Sequence, residues 1–489
     1  MSGLACALKL SAAGKKVLVL EKQAVPGGVA TNFKRNGFTF ESVLHYVDGL
    51  ACEGEIGKFL DEYGVAEKID FIDVKEFGRV VYPEHDFVVG NDPGSLKDWL
   101  QANFPGDKEG IDKFFRDINK LYGQLDKFAK SGLPEWFKLI LSPLIYPSIV
   151  KTSSLTLEQF ITKKIEDKRA RSILGTIWGF ATPVPSKISA FYYLIVLRGC
   201  WLENTRFIRG GYSNMFKAMA ERLEESGSEL KFNTAAREIV TAKNKTVCGV
   251  RAVSGEYFRA PVVVSSANAV DTLTKLADYA PLNRYYAQKL NAMQKSLSGI
   301  QLYLGLDIPA EKLGMSHALM CINTTYDHDR SFQYCLNGDY RNSGLLVASH
   351  SRLDPGLAPQ GKSTLSAMTL DNYANWDKLT KQEYLKKKKE FSDIILARLE
   401  KYLPGISGHV EVLEVATPKT MERLGSLAEG AIYGFAQTVG QSSINRLSQA
   451  TKFKGLFLAG TWTQPGAGIH ACLVSGNDAA DLVLRSLKN

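Results

Sequence analysis

The sequence predicts an α/β protein in which a Rossmann-like nucleotide-binding domain carries an inserted α+β domain. Three observations predict it. Residues 4–21 read as helix, buried strand and terminal acid, and residues 456–487 read as buried strand, glycine loop and helix. The chain of 489 residues exceeds what a single hydrophobic core fills, so at least two domains are expected.

Taken in order, residues 4–13 keep small side chains on one face, and Gly14 stops the helix at its C′ position. Residues 17–20 form a buried strand with Glu21 at its C-terminal end. An acid there, about 20 residues past a glycine-rich turn, accepts hydrogen bonds from a ribose. The alternative is that Glu21 caps a loop or pairs with Lys22. Gly3 fits the third glycine of a G-x-G-x-x-G turn, the one that lets helix and strand pack closely. A first strand and the first two glycines do not precede it. Either the chain as given begins inside the unit, or the nucleotide is held by a reduced site. Pro26-Gly27-Gly28-Val29-Ala30-Thr31 is a glycine turn, and a hairpin-like pair follows at residues 37–41.

In residues 206–268, Gly210-Gly211 opens an amphipathic helix with Met215, Ala218, Met219 and Leu223 on one face, and Gly227 ends it. Strands are expected at 230–232, 247–253, 256–258 and 262–265. At the C-terminus, residues 456–460 form a strand and residues 461–468 a tight glycine loop. A helix over 469–487 follows, packing through Leu473, Gly476, Ala480 and Val483. Strand, glycine turn and helix N-terminus together make an anion site.

Residues 70–204 and 281–404 carry no nucleotide signature. The first is helical and aromatic-rich; the second has strands at 298–306, 344–349 and 363–369 and a basic helix over 382–402. An aromatic-lined apolar pocket is expected there. Residues 136–150 are apolar but broken by Pro143 and Pro147, and read either as an interfacial segment or as the wall of a lipid pocket.

Hydrophobic residues make up 45% and charged residues 23%, which excludes a disordered or fibrous chain. The net charge is +9, partly local as in Lys386-Lys387-Lys388-Lys389, with no basic stripe interleaved with aromatics to suggest nucleic acid. Such an excess suits a solvated face or an anionic membrane surface. The 7 cysteines are scattered without a CxxC pair, so no disulfide framework is expected. His317 and Cys321 find no second ligand pair, so no metal is expected. No signal peptide and no bilayer-spanning run is readable. The expected location is cytoplasmic, peripheral on the inner face of a membrane if the substrate is a lipid.

Together the glycine turn, the hairpin, residues 206–268 and residues 416–484 resemble the FAD-dependent phytoene desaturase superfamily, which includes prolycopene isomerases and retinol saturases. The chain departs at Val29, where many members have Arg, and at Glu41-Ser42-Val43, where Asp-x-Gly is usual. His45-Tyr46 is similar to the retinol-saturase and bacterial saturase-like branch. The resemblance implies a glutathione-reductase-type FAD-binding domain from residues 1–69, 205–280 and 405–489, and a substrate domain from 70–204 and 281–404. It implies FAD contacts at Gly3, Glu21, Lys22, Gly27, Gly28, Val29, Ala30, Val240, Gly460, Thr461, Gly468 and Ile469. Residues 429–434 are implied along a substrate tunnel. The implied activity is desaturation, saturation or cis–trans isomerisation of carbon–carbon bonds in a carotenoid, a retinoid or a similar apolar lipid. No second fingerprint identifies an electron partner. His470 and His45 are the candidate proton carriers; a helix N-terminus makes His470 a neutral hydrogen-bond partner more readily than an acid. The alternative for each is a histidine satisfied by the backbone. Rival readings are a flavin amine oxidase-like enzyme, which shares the FAD domain, and a non-catalytic lipid-binding relative that has lost the cofactor.

Overall fold

The computed structural model describes residues 1–42, 46–47, 49–50, 54–90, 92–131, 143–202 and 205–488. The N-terminal helix Ser2–Ala12 buries Ala5, Cys6, Leu8 and Leu10. It ends beside Gly14, whose φ of +72° is the left-handed turn read from the sequence. This helix packs against Ser213–Glu225 and against the C-terminal helix Ile469–Ser486. The second approach is close: a Cβ on Gly476 would stand 2.2 Å from the Ser2 carbonyl oxygen.

Beneath these helices lie two parallel strand pairs, Leu18–Leu20 with Glu229–Lys231 and Val263–Ser265 with Leu456–Leu458. Parallel neighbours need a crossover, and helices supply it. Val17, just before the first strand, and Val264, in the second pair, pack on one cluster with Cys6, Leu10, Ala480 and Val483. The strand Ala236–Thr241, which the sequence reading did not include, pairs with Val247–Ala252, and Tyr257–Arg259 completes an antiparallel meander.

Phe33–Arg35 and Phe38–Phe40 form the hairpin, turned by Asn36 at φ +47° and Gly37 at φ +84°. Positive φ at both turn residues is what Asn-Gly supplies in a two-residue hairpin. The hairpin buries Phe38 and Phe40 against Tyr303 and Val412 of the large sheet.

That large sheet has seven strands in the order Val410–Ala416, Ser298–Leu306, Ser363–Asp371, Leu345–Ala348, Leu319–Ile322, Glu76–Val81 and Asp86–Gly90. Segments far apart in sequence thus join in one sheet, with one parallel junction between Leu319–Ile322 and Glu76–Val81. Val410–Ala416, grouped by sequence with the cofactor segments, pairs with Ser298–Leu306 and is an edge of this sheet. Its outer face is covered by Lys381–Leu399, whose start is fixed by a Thr380–Glu383 capping box.

Helices from 93 to 202 pack around the other side, with Phe114, Phe160, Tyr193 and Trp201 fully buried. Of the proline-broken stretch 136–150, residues 136–142 lie outside the described residues. In the remainder, Tyr146 is buried while Leu144, Ile145 and Val150 are exposed. Among the described residues, no helix is long and apolar enough to cross a membrane.

Candidate functional site

A cavity of about 1490 Å³ runs between the strand pairs and the large sheet. Ordinary ligand pockets hold roughly 300–1,000 Å³, so this one has room for a large cofactor and a substrate together. Eleven of the twelve residues expected at the cofactor line it: Gly3, Glu21, Lys22, Gly27, Gly28, Val29, Ala30, Gly460, Thr461, Gly468 and Ile469. Val240 does not. The meander turns its neighbour Ile239 into the core and pairs Val240 with Gly249. The chain just before the strand, Thr234-Ala235-Ala236, borders the cavity instead.

The nucleotide-side walls fit a dinucleotide. Gly27, Gly28, Gly460 and Gly468 all have positive φ, +122°, +63°, +109° and +102°, a region that favours glycine. A Cβ on Gly28 or Gly468 would meet nothing within 4 Å, so backbone there borders open space. Gly468 caps the 18-residue C-terminal helix without a side-chain cap, which leaves that helix start to a ligand. The Thr461 hydroxyl oxygen is buried with no hydrogen-bond partner among the described residues. Glu21 serves its own loop as well as the wall: its Oε1 accepts from Gln23 N at 2.9 Å, and its carbonyl accepts from Thr234 N at 2.8 Å. The loop-capping alternative for Glu21 is thus seen, at a residue that also borders the cavity. Lys22 donates to Ser426 Oγ at 2.5 Å, which ties this wall to residues 424–427.

The sequence reading passed over Arg446. It is 3% exposed, and its guanidinium donates to the carbonyls of Thr463 at 2.9 Å, Phe435 at 2.9 Å, Tyr433 at 3.1 Å and Thr461 at 2.5 Å. Among the described residues it has no carboxylate partner. Burial pulls its pKa down to about 10, so it remains a cation at neutral pH. One planar fork thus fixes two cavity-wall segments to each other, which a lysine point charge would not do.

The floor of the cavity is one face of the large sheet. Ala416, Gln301, Met368, Leu346 and Cys321 are successive cross-strand partners, and all five line the cavity. At about 4.8 Å per strand, the four steps of this row give a track about 19 Å long. Trp178, Phe180, Leu370 and Ile432 also line the cavity, and burial pushes the Cys321 thiol up to about 12, keeping it neutral. Three carboxylates border the cavity, and each has a partner: Glu21 as above, Asp271 with Lys275 at 2.6 Å, and Glu414 with Arg35 at 3.1 Å.

His470 is a correction to the sequence reading. In a helix, Ile469 and Cys472 share a face three residues apart, and that face meets the cavity. His470 lies about 100° round the helix, off the cavity wall, with Nε2 2.8 Å from Glu55 Oε2. His45 lies outside the described residues. Glu41, beside the hairpin, is 1% exposed, and burial raises its carboxyl to about 7. No cluster of three metal-ligating side chains occurs among the described residues.

Residues 1–484 match the family model described as flavin containing amine oxidoreductase. The chain is 27% identical to a chloroplastic prolycopene isomerase of Daucus carota, over 100% of this chain and 79% of that protein. It is 27% identical to an all-trans-retinol 13,14-reductase of Danio rerio, over 94% and 81%. With a lycopene-forming phytoene desaturase of Pseudescherichia vulneris it shares 25% identity over 99% and 98%. Among solved structures, an oxidoreductase from Methanosarcina mazei superposes with a TM-score of 0.65 at 16% identity, covering 98% of each chain. A putrescine oxidase bound to putrescine does so with 0.64 at 16% identity, over 99% and 97%. These structural matches show the fold.

Proposed function

The chain belongs to the flavin containing amine oxidoreductase family and is an FAD-dependent oxidoreductase, and within that family we propose that it acts on the carbon–carbon bonds of an apolar polyene, a carotenoid, retinoid or similar lipid. The observation that carries this reading is the floor: a continuous cross-strand row of Ala416, Gln301, Met368, Leu346 and Cys321, about 19 Å long. A flat, elongated and apolar molecule fits such a track. The named relatives that act on lycopene precursors and retinol support the same class.

Bound FAD supplies hydride transfer to or from carbon. Gly27, Gly28, Gly460 and Gly468 would hold it through their backbone, and Glu21 would accept from a ribose hydroxyl. Arg446 keeps residues 433–435 and 461–463 in register, so the wall on the cofactor side is rigid. The sheet floor orients the polyene and excludes water from the reacting carbons.

An amine substrate is the second reading, from the family description. An ammonium in a dry cavity requires a counter-charge or an aromatic cage. The three bordering carboxylates each have a neighbouring partner, which argues against a free counter-charge for an ammonium; the aromatic lining at Trp178, Phe180, Tyr433 and Trp462 leaves the cage to the experiment below.

Such a substrate lives in a bilayer, so we place the protein peripherally on membranes. Val25, Val29 and Leu424, exposed by 42%, 50% and 53%, border the cavity beside Lys22 and Arg423. Apolar side chains ringed by cations suit an anionic lipid surface. The reading is tested by incubating the FAD-loaded protein, in air and separately reduced with dithionite under anaerobic conditions, with vesicles carrying a panel of cis and trans polyenes, then resolving the extracted products. A product with altered double-bond number or geometry is expected; unchanged polyenes across the panel would overturn the reading.

A further inference from the structure

Gln301 stands out in the cavity floor. Its partners along the row are Ala416 and Met368, with Leu346 and Cys321 beyond. The residue is 1% exposed, and its side-chain Nε2 is buried with no hydrogen-bond partner among the described residues. The strand itself gains nothing from the amide, because Ser298–Leu306 is paired through its backbone on both sides, with Ser363–Asp371 and Val410–Ala416. A buried amide left unpaired costs about as much as a lost hydrogen bond, and a leucine or methionine in its place would avoid that cost. Every other member of the row is apolar or, like the Cys321 thiol, neutral. An amide kept at a cost in the middle of an apolar track points to a ligand that pairs with it.

We propose that Gln301 hydrogen-bonds an oxygen of the substrate, so that the preferred substrate is an oxygenated polyene, one bearing a hydroxyl or carbonyl, and not a bare hydrocarbon. This rests on the reading of the cavity as a polyene site. A carboxamide donates through Nε2 and accepts through Oε1, so a hydroxyl can engage both. The oxygen fixes where the polyene stops along the floor, and thereby which double bond is presented to the cofactor side. Gln301 is a specificity-determining residue in this account: a site built around a polar partner rejects the analogue lacking it more strongly than an apolar site rejects an added methylene.

The test uses FAD-loaded protein and two ligands: all-trans-retinol, and the matched hydrocarbon in which hydrogen replaces the hydroxyl. Binding is read from the perturbation of the flavin spectrum. The wild type should bind retinol roughly 10- to 100-fold more tightly than the hydrocarbon. Gln301→Leu should lose that preference while keeping its FAD. Equal binding of the two ligands by the wild type overturns the proposal whether or not the variant folds. A preference that survives Gln301→Leu also overturns it, as does loss of FAD from a folded Gln301→Leu, which would assign the amide to the cofactor. If neither polyene binds while a primary amine does, the polyene reading itself has failed.

Discussion

Glu41 shows how a single side chain is set by its surroundings. Its Oε1 accepts from Asn32 Nδ2 at 3.3 Å, the Tyr212 backbone also favours its ionised form, and the space for the carboxyl exists because residue 211 is glycine. A Cβ there would fall 1.7 Å from Oε1. Burial raises the carboxyl from 4.5 to about 7. Since the folded value lies above the unfolded one, the folded chain holds an extra proton between those two values. Its contribution to stability is therefore complete below about 4.5 and is lost as pH rises toward 7. The loss amounts to about 3 kcal/mol. Glu41→Gln should remove this dependence, so that urea midpoints of variant and wild type diverge between about pH 4.5 and about pH 8, in favour of the variant at the higher pH. Parallel curves would show that the acid ionises in the fold without cost. At this scale the sequence was partly legible. Glycines at turns and Glu21 at a strand end follow from local chemistry. Arg446, Glu41 and Gln301 matter through burial, which depends on residues far apart in the chain, Asn32 and Gly211 in Glu41's case alone. Gln301 left one readable signal, a polar residue inside an otherwise apolar strand.

The elements divide in the same way. The N-terminal helix and strand, the Asn-Gly hairpin and the C-terminal strand–loop–helix are specified by residues within a few positions of one another, and they were readable. The strands Ala236–Thr241 and Leu319–Ile322 were not assigned. Leu319–Ile322 takes its place from Glu76–Val81, some 240 residues earlier, and no local pattern encodes such a partner. Val410–Ala416, grouped by sequence with the cofactor segments, pairs with Ser298–Leu306 for the same reason: strand partners are chosen by the assembled sheet. The contact between the terminal helices gives a direct test. Gly476 faces the Ser2 backbone so closely that any side chain forces the helices apart. Gly476→Ala should lower stability by roughly 1–3 kcal/mol through overpacking. It should also loosen FAD, because Gly3 and Ile469, on the same two helices, line the cofactor side of the cavity. A variant with an unchanged melting temperature and flavin content would refute the close approach.

At the scale of the molecule, two readings of one chain combine. A cofactor side is built from local glycine turns, and a substrate floor is built from strands that only tertiary pairing brings together. The first was visible in the sequence, while the row of residues along the floor was not. The exposed aliphatic rim at Val25, Val29 and Leu424 predicts binding to vesicles. The protein should float with liposomes and more so with anionic lipid; sedimentation away from both would exclude this surface as a membrane contact. Replacing Val29 and Leu424 together by serine should reduce flotation without changing FAD content.

The most direct measurement follows both chromophores in one anaerobic cuvette. FAD-loaded protein, taken once oxidised and once photoreduced so that the flavin itself accepts or supplies the electron pair, is mixed in turn with a conjugated polyene in vesicles and with primary amines, while the visible flavin band and the polyene band are recorded together. The polyene band should shift in at least one flavin state, by up to one equivalent per flavin where the flavin changes its redox state, whereas amines should leave the oxidised flavin oxidised. Rapid bleaching of the flavin by an amine, with the polyene band unchanged, would contradict it.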